Sequence, residues 1–390
     1  MLSPKLLRIT TVPISLEKLL SGQMRFMKEN GFDVYMVSSP NKKSLALEQK
    51  ENASYLTVNM TRVISPFKDL ISLMEMIKLL RKIRPSIVHT HTPKAGLIGM
   101  LASWITNVPI RLHTVAGLPL MEVRGTKRKI LEIVEKITYY CATFVYPNSS
   151  NLKNFILKLK LTNKNKIAVI GNGSSNGIDI HAFKRTEEIE QVAISLMATH
   201  QLSVNHFIFV FVGRLVKDKG IEELIGAFKR LNIQYPILKL MLVGPEEPEL
   251  DPLSEECINE IHHNEAIIHV GYQQEVRSYL ALSNALVFPS YREGFPNVPM
   301  QAGCFDLPSI VTNINGCNEI IVEGENGLIV PVKDENSLFV AMKTLYLDKN
   351  IYQKMAQNSR KMIVDRYEQQ KVWDLILEEY KKHLNHHDIL

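Results

Sequence analysis

Short β-rich runs alternate with amphipathic helical stretches along the first half of this chain, and at Phe207 the alternation starts again. That repetition constrains the fold more than any other feature. Candidate strands are LLRITTV, DVYMVSS, SYLTVNM, SIVHTH, IRLHTVA, TFVYPNS and KIAVI, with helical segments near 16–30, 67–84, 94–106, 124–141 and 149–159. After the restart come FIFVFVG, LKLMLVG, AIIHVG, ALVFPS and PSIVT, each separated from the next by a helix. Strand–helix–strand alternation implies parallel sheets with helices on both faces. A chain of 390 residues also exceeds what one core usually supports. Two doubly wound α/β domains in series are therefore expected. The segment GNGSSNGIDIHAFKR, rich in Gly, Ser and Asn, marks the connection and places the domains at 1–185 and 186–368.

Composition narrows the classes of function. Cys141, Cys257, Cys304 and Cys317 are scattered, with no Cys-x-x-Cys pair, which fits reduced thiols and neither a zinc site nor a disulfide framework. The N-terminal LLRITTVPI has no secretory pattern, and GLIGMLASWIT at 96–106 is too short to cross a bilayer. A cytoplasmic protein that does not span a membrane is expected. Its net charge of +6 conceals a division. Residues 1–185 carry 28 Lys and Arg against 11 Asp and Glu, a balance of +17, and the remainder balances at −11. Such asymmetry points to a basic module facing an anionic partner. No nucleic-acid-binding motif is present, so no nucleic-acid partner is expected. An anionic membrane surface or an anionic lipid-linked substrate remains, against the plain alternative of solvated lysines. The basic residues concentrate in RGTKRK, 124–129, and KNFILKLKLTNKNK, 153–166, where Phe155, Ile156, Leu157 and Leu159 supply an apolar complement for a membrane interface.

Four stretches carry residues suited to chemistry. Within Val287–Gly327 a strand ends at Glu293-Gly294, and a helix begins near Pro296, a usual place for proline. Free N–H groups and the positive dipole end of that helix suit a phosphate, held by the stretch Phe295, Pro296, Asn297 and Val298. In FVGRLVKDKG a strand ends at Gly213, and Arg214 and Lys219 follow before a helix. Two fixed cations there can neutralise a departing diphosphate. RLHTVAGLPL places His113 at a strand end, beyond which ligands of open α/β sheets bind. VHTHTPKAG offers His89, His91 and Lys94, the two histidines alternating onto one face without the carboxylates that would favour metal. The loop after the first strand adds Ser15, Ser21 and Gly22 as acceptor candidates with Lys94. GNGSSNG at 171–177 imitates a dinucleotide fingerprint, but its G-x-G-x-x-x-G spacing is one residue too long.

Glu293 with its surroundings, FVGRLVKDKG and the Asn-Gly-Ile-Asp of the linker resemble family 4 of the glycosyltransferases, retaining enzymes of GT-B fold. That family's hallmark is two glutamates separated by seven residues; here the second position holds Gln301. An amide can still accept one hydrogen bond and donate another, so binding of a diol is reshaped rather than abolished. The resemblance implies two Rossmann-like domains facing a central cleft, with a final helix near 369–386 (the segment 369–390) packing back on the first. It implies acceptor binding by 1–185 and nucleotide-sugar binding by 186–368. His113 and Glu293 would stand at the reacting centre, Arg214 and Lys219 on the donor diphosphate. Gly213, Gly294, the 295–298 stretch and Gln301 would surround the donor. No cofactor beyond the nucleotide-sugar co-substrate is implied, and the absence of any Asp-x-Asp pair agrees with metal-independent transfer. The implied donor is a UDP-hexose or UDP-N-acetylhexosamine. The implied acceptor is a polyprenyl-diphosphate-linked saccharide of bacterial capsule, O-antigen or exopolysaccharide synthesis. Its place of work is the inner face of the cytoplasmic membrane, as a peripheral enzyme. A nucleotide-sugar 2-epimerase of the same fold and a non-catalytic partner subunit are the competing readings.

Overall fold

Two parallel six-stranded sheets gather the β-rich runs in a computed structural model that describes residues 3–41, 44–63, 65–121, 123–247, 249 and 251–387. The first contains β1 (Lys5–Ile9), β2 (Asp33–Ser38), β3 (Ser54–Thr57), β4 (Ile87–Thr90), β5 (Ile110–Val115) and β6 (Phe144–Pro147), in the order β3-β2-β1-β4-β5-β6. The second contains β7 (Phe207–Val212), β8 (Leu238–Val243), β9 (Ile267–His269), β10 (Ala285–Phe288), β11 (Ser309–Thr312) and β12 (Gly327–Val330). Its order is β12-β11-β10-β7-β8-β9, which read from the other edge is the same doubly wound sequence. The contacts divide the chain into Met1–Gly177 with Gln369–Leu390, and Ile178–Glu368.

Three details depart from the sequence reading. KIAVI is not a strand: only Ile167 pairs, through an isolated bridge to Val145, before the chain turns at Gly171 and Gly173 with positive φ. The short run GLIV instead becomes β12, paired in register from Ser309↔Gly327 to Thr312↔Val330. The helix expected over 16–30 is two helices, Pro13–Leu19 and Gln23–Glu29. Gly22 separates them at φ +81, and a Cβ there would come within 2.7 Å of the Trp373 ring. Glycine alone permits both that conformation and that contact.

In the first unit, alternation along each strand sends residues to two cores. Leu7, Ile9, Val88 and Val145 join one, with Met76 and Leu80 of the helix Pro66–Ile83, Ile98 of Pro93–Ile105 and Tyr139 of Gly125–Cys141. Leu6, Met36, Ile87 and Leu112 join the other, beneath the helix Gln369–His386. That last helix buries Val372, Ile376, Leu377, Tyr380 and Leu384, a stripe at helical spacing. Each large apolar side chain buried contributes about 1.5–3 kcal/mol, which holds the returning segment on this unit. The second unit has one continuous core around Phe209, Phe211, Leu240 and Val287.

Candidate functional site

Strand order reverses between β7 and β10, so their following loops splay around a crevice at the carboxyl ends of the sheet. After β7 the chain passes Gly213 and Arg214, makes a short turn at Lys217–Lys219, and opens the helix Ile221–Gln234 at Gly220. Gly220 has φ +71, and a Cβ there would lie 2.1 Å from the Pro289 carbonyl oxygen. This glycine lets the loop after β7 lie directly against the loop after β10. Polar contacts fasten them. The Tyr291 N–H donates to the Asp218 carbonyl at 2.8 Å, and Arg292 Nη2 to Asp218 Oδ2 at 2.7 Å. Lys219 Nζ donates to Glu293 Oε1 at 2.5 Å, with the two side chains only 15% and 17% exposed.

Glu293 and Gly294 precede the helix Asn297–Cys304, whose cap residue is Pro296. Pro296 has no side-chain oxygen to cap that helix, and among the described residues its first N–H groups keep their donors for a ligand. Pro296 and Pro299 have no N–H, which leaves Phe295, Asn297 and Val298 as the donors at this end. Asn315 Nδ2 donates to the Gly294 carbonyl at 2.5 Å and steadies the turn. The Phe295 ring packs edge-on against Tyr367 with centroids 5.5 Å apart. Gln301 lies one turn below Asn297, on the same face of the helix, half-buried and without a side-chain hydrogen bond among the described residues. Arg214 is 43% exposed and pairs with Glu247 at 3.0 Å. A surface pair of that kind contributes roughly 0–1 kcal/mol, so an arriving diphosphate competes easily for the guanidinium.

The histidines of the first unit behave differently from the cations. His113 lies inside β5 with two residues of strand still to follow, and is 2% exposed. Its Nδ1 is 2.7 Å from Thr90 Oγ1, and burial pushes its pKa down to about 4. The strand end expected for His113 is thus occupied by Thr114 and Val115, and the imidazole is neutral at pH 7. His89 and His91 do share a face, with rings 4.2 Å apart. His89 bridges Tyr380 Oη at 2.6 Å and Thr114 Oγ1 at 2.7 Å, and burial holds both histidines well below their usual range. Arg8, also buried, donates to Tyr380 Oη and Gln23 Oε1. Among the described residues no group of three or more His, Cys, Asp or Glu is arranged to hold a metal.

The acceptor candidates separate. Ser15 and Lys94 line a cavity of about 750 Å³ beside the ends of β1 and β4, where the first sheet reverses its order. Ser21 and Gly22 do not. The Ser21 carbonyl accepts from Asn176 Nδ2 at 3.1 Å, and the Gly22 N–H donates to Glu51 Oε1 at 2.7 Å. Gly22 lies against Trp373 of the final helix, and Ser21 holds Asn176, whose Oδ1 accepts from Trp373 Nε1 at 2.7 Å. The apolar residues of 153–166 are corrected as well. Ile156 is fully buried, and Phe155, Leu157 and Leu159 pack against the core. The core therefore uses Ile156 fully and the other three in part.

Nothing in the sequence marks Asp218, Tyr291 and Arg292, although they stand beside Lys219 and Glu293. No local spacing announces a pairing across 74 residues; only the adjacency of β7 and β10 creates it.

Comparison with known proteins gives a consistent picture. The family described as Glycosyl transferases group 1 matches residues 195–362, and Glycosyl transferase 4-like matches residues 16–149. The chain is 36% identical, over 96% of its own length and 96% of the relative's, to the capsular polysaccharide biosynthesis glycosyltransferase CapM of Staphylococcus aureus. It is 27% identical to the UDP-Gal:alpha-D-GlcNAc-diphosphoundecaprenol alpha-1,3-galactosyltransferase of Escherichia coli, over 92% of this chain and 93% of that one. Among solved structures, Anabaena HepE in complex with UDP and glucose superposes with a TM-score of 0.78 at 17% identity, covering 97% of this chain and 100% of the other. That likeness establishes the GT-B fold.

Proposed function

The chain belongs to the group 1 glycosyltransferases, and from that premise we propose that it transfers a sugar from a UDP-sugar to a polyprenyl-diphosphate-linked saccharide, with retention, in the synthesis of a bacterial surface polysaccharide. The observation that carries the donor half is the fastening of Lys219 to Glu293 beside an uncapped helix N-terminus at the switch point of the second sheet. In this reading Ile178–Glu368 binds the donor and the unit around the first sheet binds the acceptor.

Transfer breaks the bond between the anomeric carbon and the β-phosphate oxygen. A hydroxyl oxygen of the acceptor bonds to that carbon on the same face, and its proton passes to the departing phosphate. Negative charge grows on the diphosphate as the bond breaks, so groups placed there act chiefly on the transition state. Arg214, Lys219 and the N–H groups of Phe295, Asn297 and Val298 take that role, close to Gly213 and Gly294. Glu293 holds Lys219 through Oε1 and offers Oε2 to hydroxyls of the sugar, while Gln301 reads the ribose with its amide. His113 is assigned no proton transfer; its neutral ring positions the ends of β4 and β5.

The diphosphoundecaprenol acceptor of the Escherichia coli relative and the capsular role of the Staphylococcus aureus one support the acceptor class and the setting, and the basic first half of the chain supports work at an anionic inner membrane face. Among the described residues no helix is long and apolar enough to cross a membrane, so the association proposed is peripheral. The test supplies UDP-sugars with and without a diphosphoprenyl-linked saccharide and follows UDP release and the anomeric configuration of the product. Acceptor-dependent release with retention is expected. Release that ignores the acceptor, or conversion of the donor into its 2-epimer, would overturn the reading.

A further inference from the structure

The cavity at the switch point of the first sheet is built unlike a saccharide site. Leu97, Ile130, Leu131 and Val134 form an apolar wall, and Pro119 and Val123 extend it. Among the described residues its polar edge carries three cations, Arg62, Lys94 and Lys127, against one carboxylate, Asp69. Lys94 Nζ reaches Asp69 Oδ2 at 2.5 Å and the Val63 carbonyl at 3.0 Å, while Arg62 and Lys127 form no ion pair among the described residues. The cavity holds about 750 Å³ and lies at the N-terminal ends of the neighbouring helices Pro66–Ile83, Pro93–Ile105 and Gly125–Cys141.

The two outer helices are also apolar on the side turned to solvent. Ile130, Ile133, Ile137 and Tyr140 are 49%, 58%, 40% and 73% exposed at helical spacing, with Lys129 and Lys136 alongside. Phe67, Leu70 and Met74 repeat the pattern on Pro66–Ile83 at 76%, 53% and 55%. Trp104 joins the first stripe, 6.4 Å from the Tyr140 ring. Exposed apolar stripes flanked by lysine suit the surface of an anionic bilayer. Ile130 belongs both to a stripe and to the cavity wall, so the cavity is continuous with that surface.

We infer that this cavity receives the diphosphate and the first isoprene units of a polyprenyl carrier, the diphosphate on Arg62, Lys94 and Lys127 and the hydrocarbon against Leu97, Ile130, Leu131 and Val134. The inference rests on the lipid-linked acceptor proposed above. Charge complementarity selects the head group, because a diphosphate matches Arg62 and Lys127, which form no ion pair among the described residues, beside Lys94. The apolar wall selects the tail, because a free sugar phosphate would leave that surface wet. With the flanking stripes on the bilayer, the remainder of the lipid never enters water.

The test titrates the full-length protein in saturating UDP, which fills the donor-diphosphate site, with farnesyl diphosphate, inorganic diphosphate and farnesol. Farnesyl diphosphate is expected to bind at least tenfold more tightly than inorganic diphosphate, a difference of about 1.4 kcal/mol, and more tightly than farnesol. Leu131→Trp fills the cavity and should abolish the advantage over inorganic diphosphate. Lys127→Glu, at an exposed position that folding tolerates, should weaken both diphosphates about fivefold or more. Equal affinity for the two diphosphates in the wild type, or unchanged binding in Lys127→Glu, overturns the inference even where Leu131→Trp does not fold. Transfer to a lipid-linked acceptor with no preference for farnesyl diphosphate removes the cavity and keeps the enzyme. The preference without transfer does the reverse.

Discussion

At the residue scale the donor site depends on few groups with separable jobs. Arg214→Ala or Lys219→Ala should lower transfer about 10²-fold, the size of effect seen when one transition-state donor is removed. Near-normal turnover with the best donor would show that the residue does not hold the diphosphate, and full loss in EDTA restored by Mg²⁺ would show that a metal does. Glu293→Gln should impair transfer severely, because Lys219 then keeps its charge in a half-buried place without the carboxylate 2.5 Å away. Gln301→Glu should keep activity and tighten the nucleotide by roughly 1 kcal/mol, since a charged acceptor makes the stronger hydrogen bond. Equal tolerance at 293 and 301, measured by UDP titration and initial rates, would remove the pair from the donor site.

At the scale of elements the loops after β7 and β10 act as one piece, because Gly220 allows them to touch. Gly220→Ala should destabilise the protein by about 1–2 kcal/mol from the left-handed backbone alone, with a further loss as the new Cβ pushes Pro289 away. Urea unfolding followed with the transfer assay decides this. A midpoint and rate equal to wild type would mean that the loops do not need their close approach. The final helix makes the corresponding point for the first unit. Its Tyr380 meets Arg8 and His89, a contact that joins residues 372 apart in the chain.

At the scale of the whole molecule, buried histidines and exposed apolar stripes set how the protein answers to its surroundings. His89, His91 and His113 titrate below their ordinary value because burial disfavours the charged form. Below about pH 6.5 the unfolded chain binds protons that the folded chain refuses, down to about pH 4 in the case of His113, so stability falls as pH falls, each group adding up to about 1.4 kcal/mol per pH unit. Urea midpoints that stay level from pH 7 to pH 5 would contradict this. Vesicle flotation tests the surface: binding to anionic vesicles at low salt should drop when Ile133 and Ile137 are changed to Asp, and less when Lys158 and Lys160 become Glu. Equal recovery on neutral and anionic vesicles would remove the membrane from the account. The amino-acid sequence by itself determined the two doubly wound sheets, since alternation and β-rich runs are local, and it marked Arg214, Lys219 and Glu293 in the segments that follow two strands. It also marked the first half as basic. Tertiary structure alone decided that KIAVI leaves the sheet, that GLIV enters it, and that Lys219 meets Glu293. It moved His113 into the interior, and it turned Phe155, Leu157 and Leu159 inward while leaving Ile133, Ile137 and Tyr140 outside. Every one of these outcomes rests on which neighbour a face finds across the fold, and an amphipathic pattern states that a face is apolar without stating what will cover it.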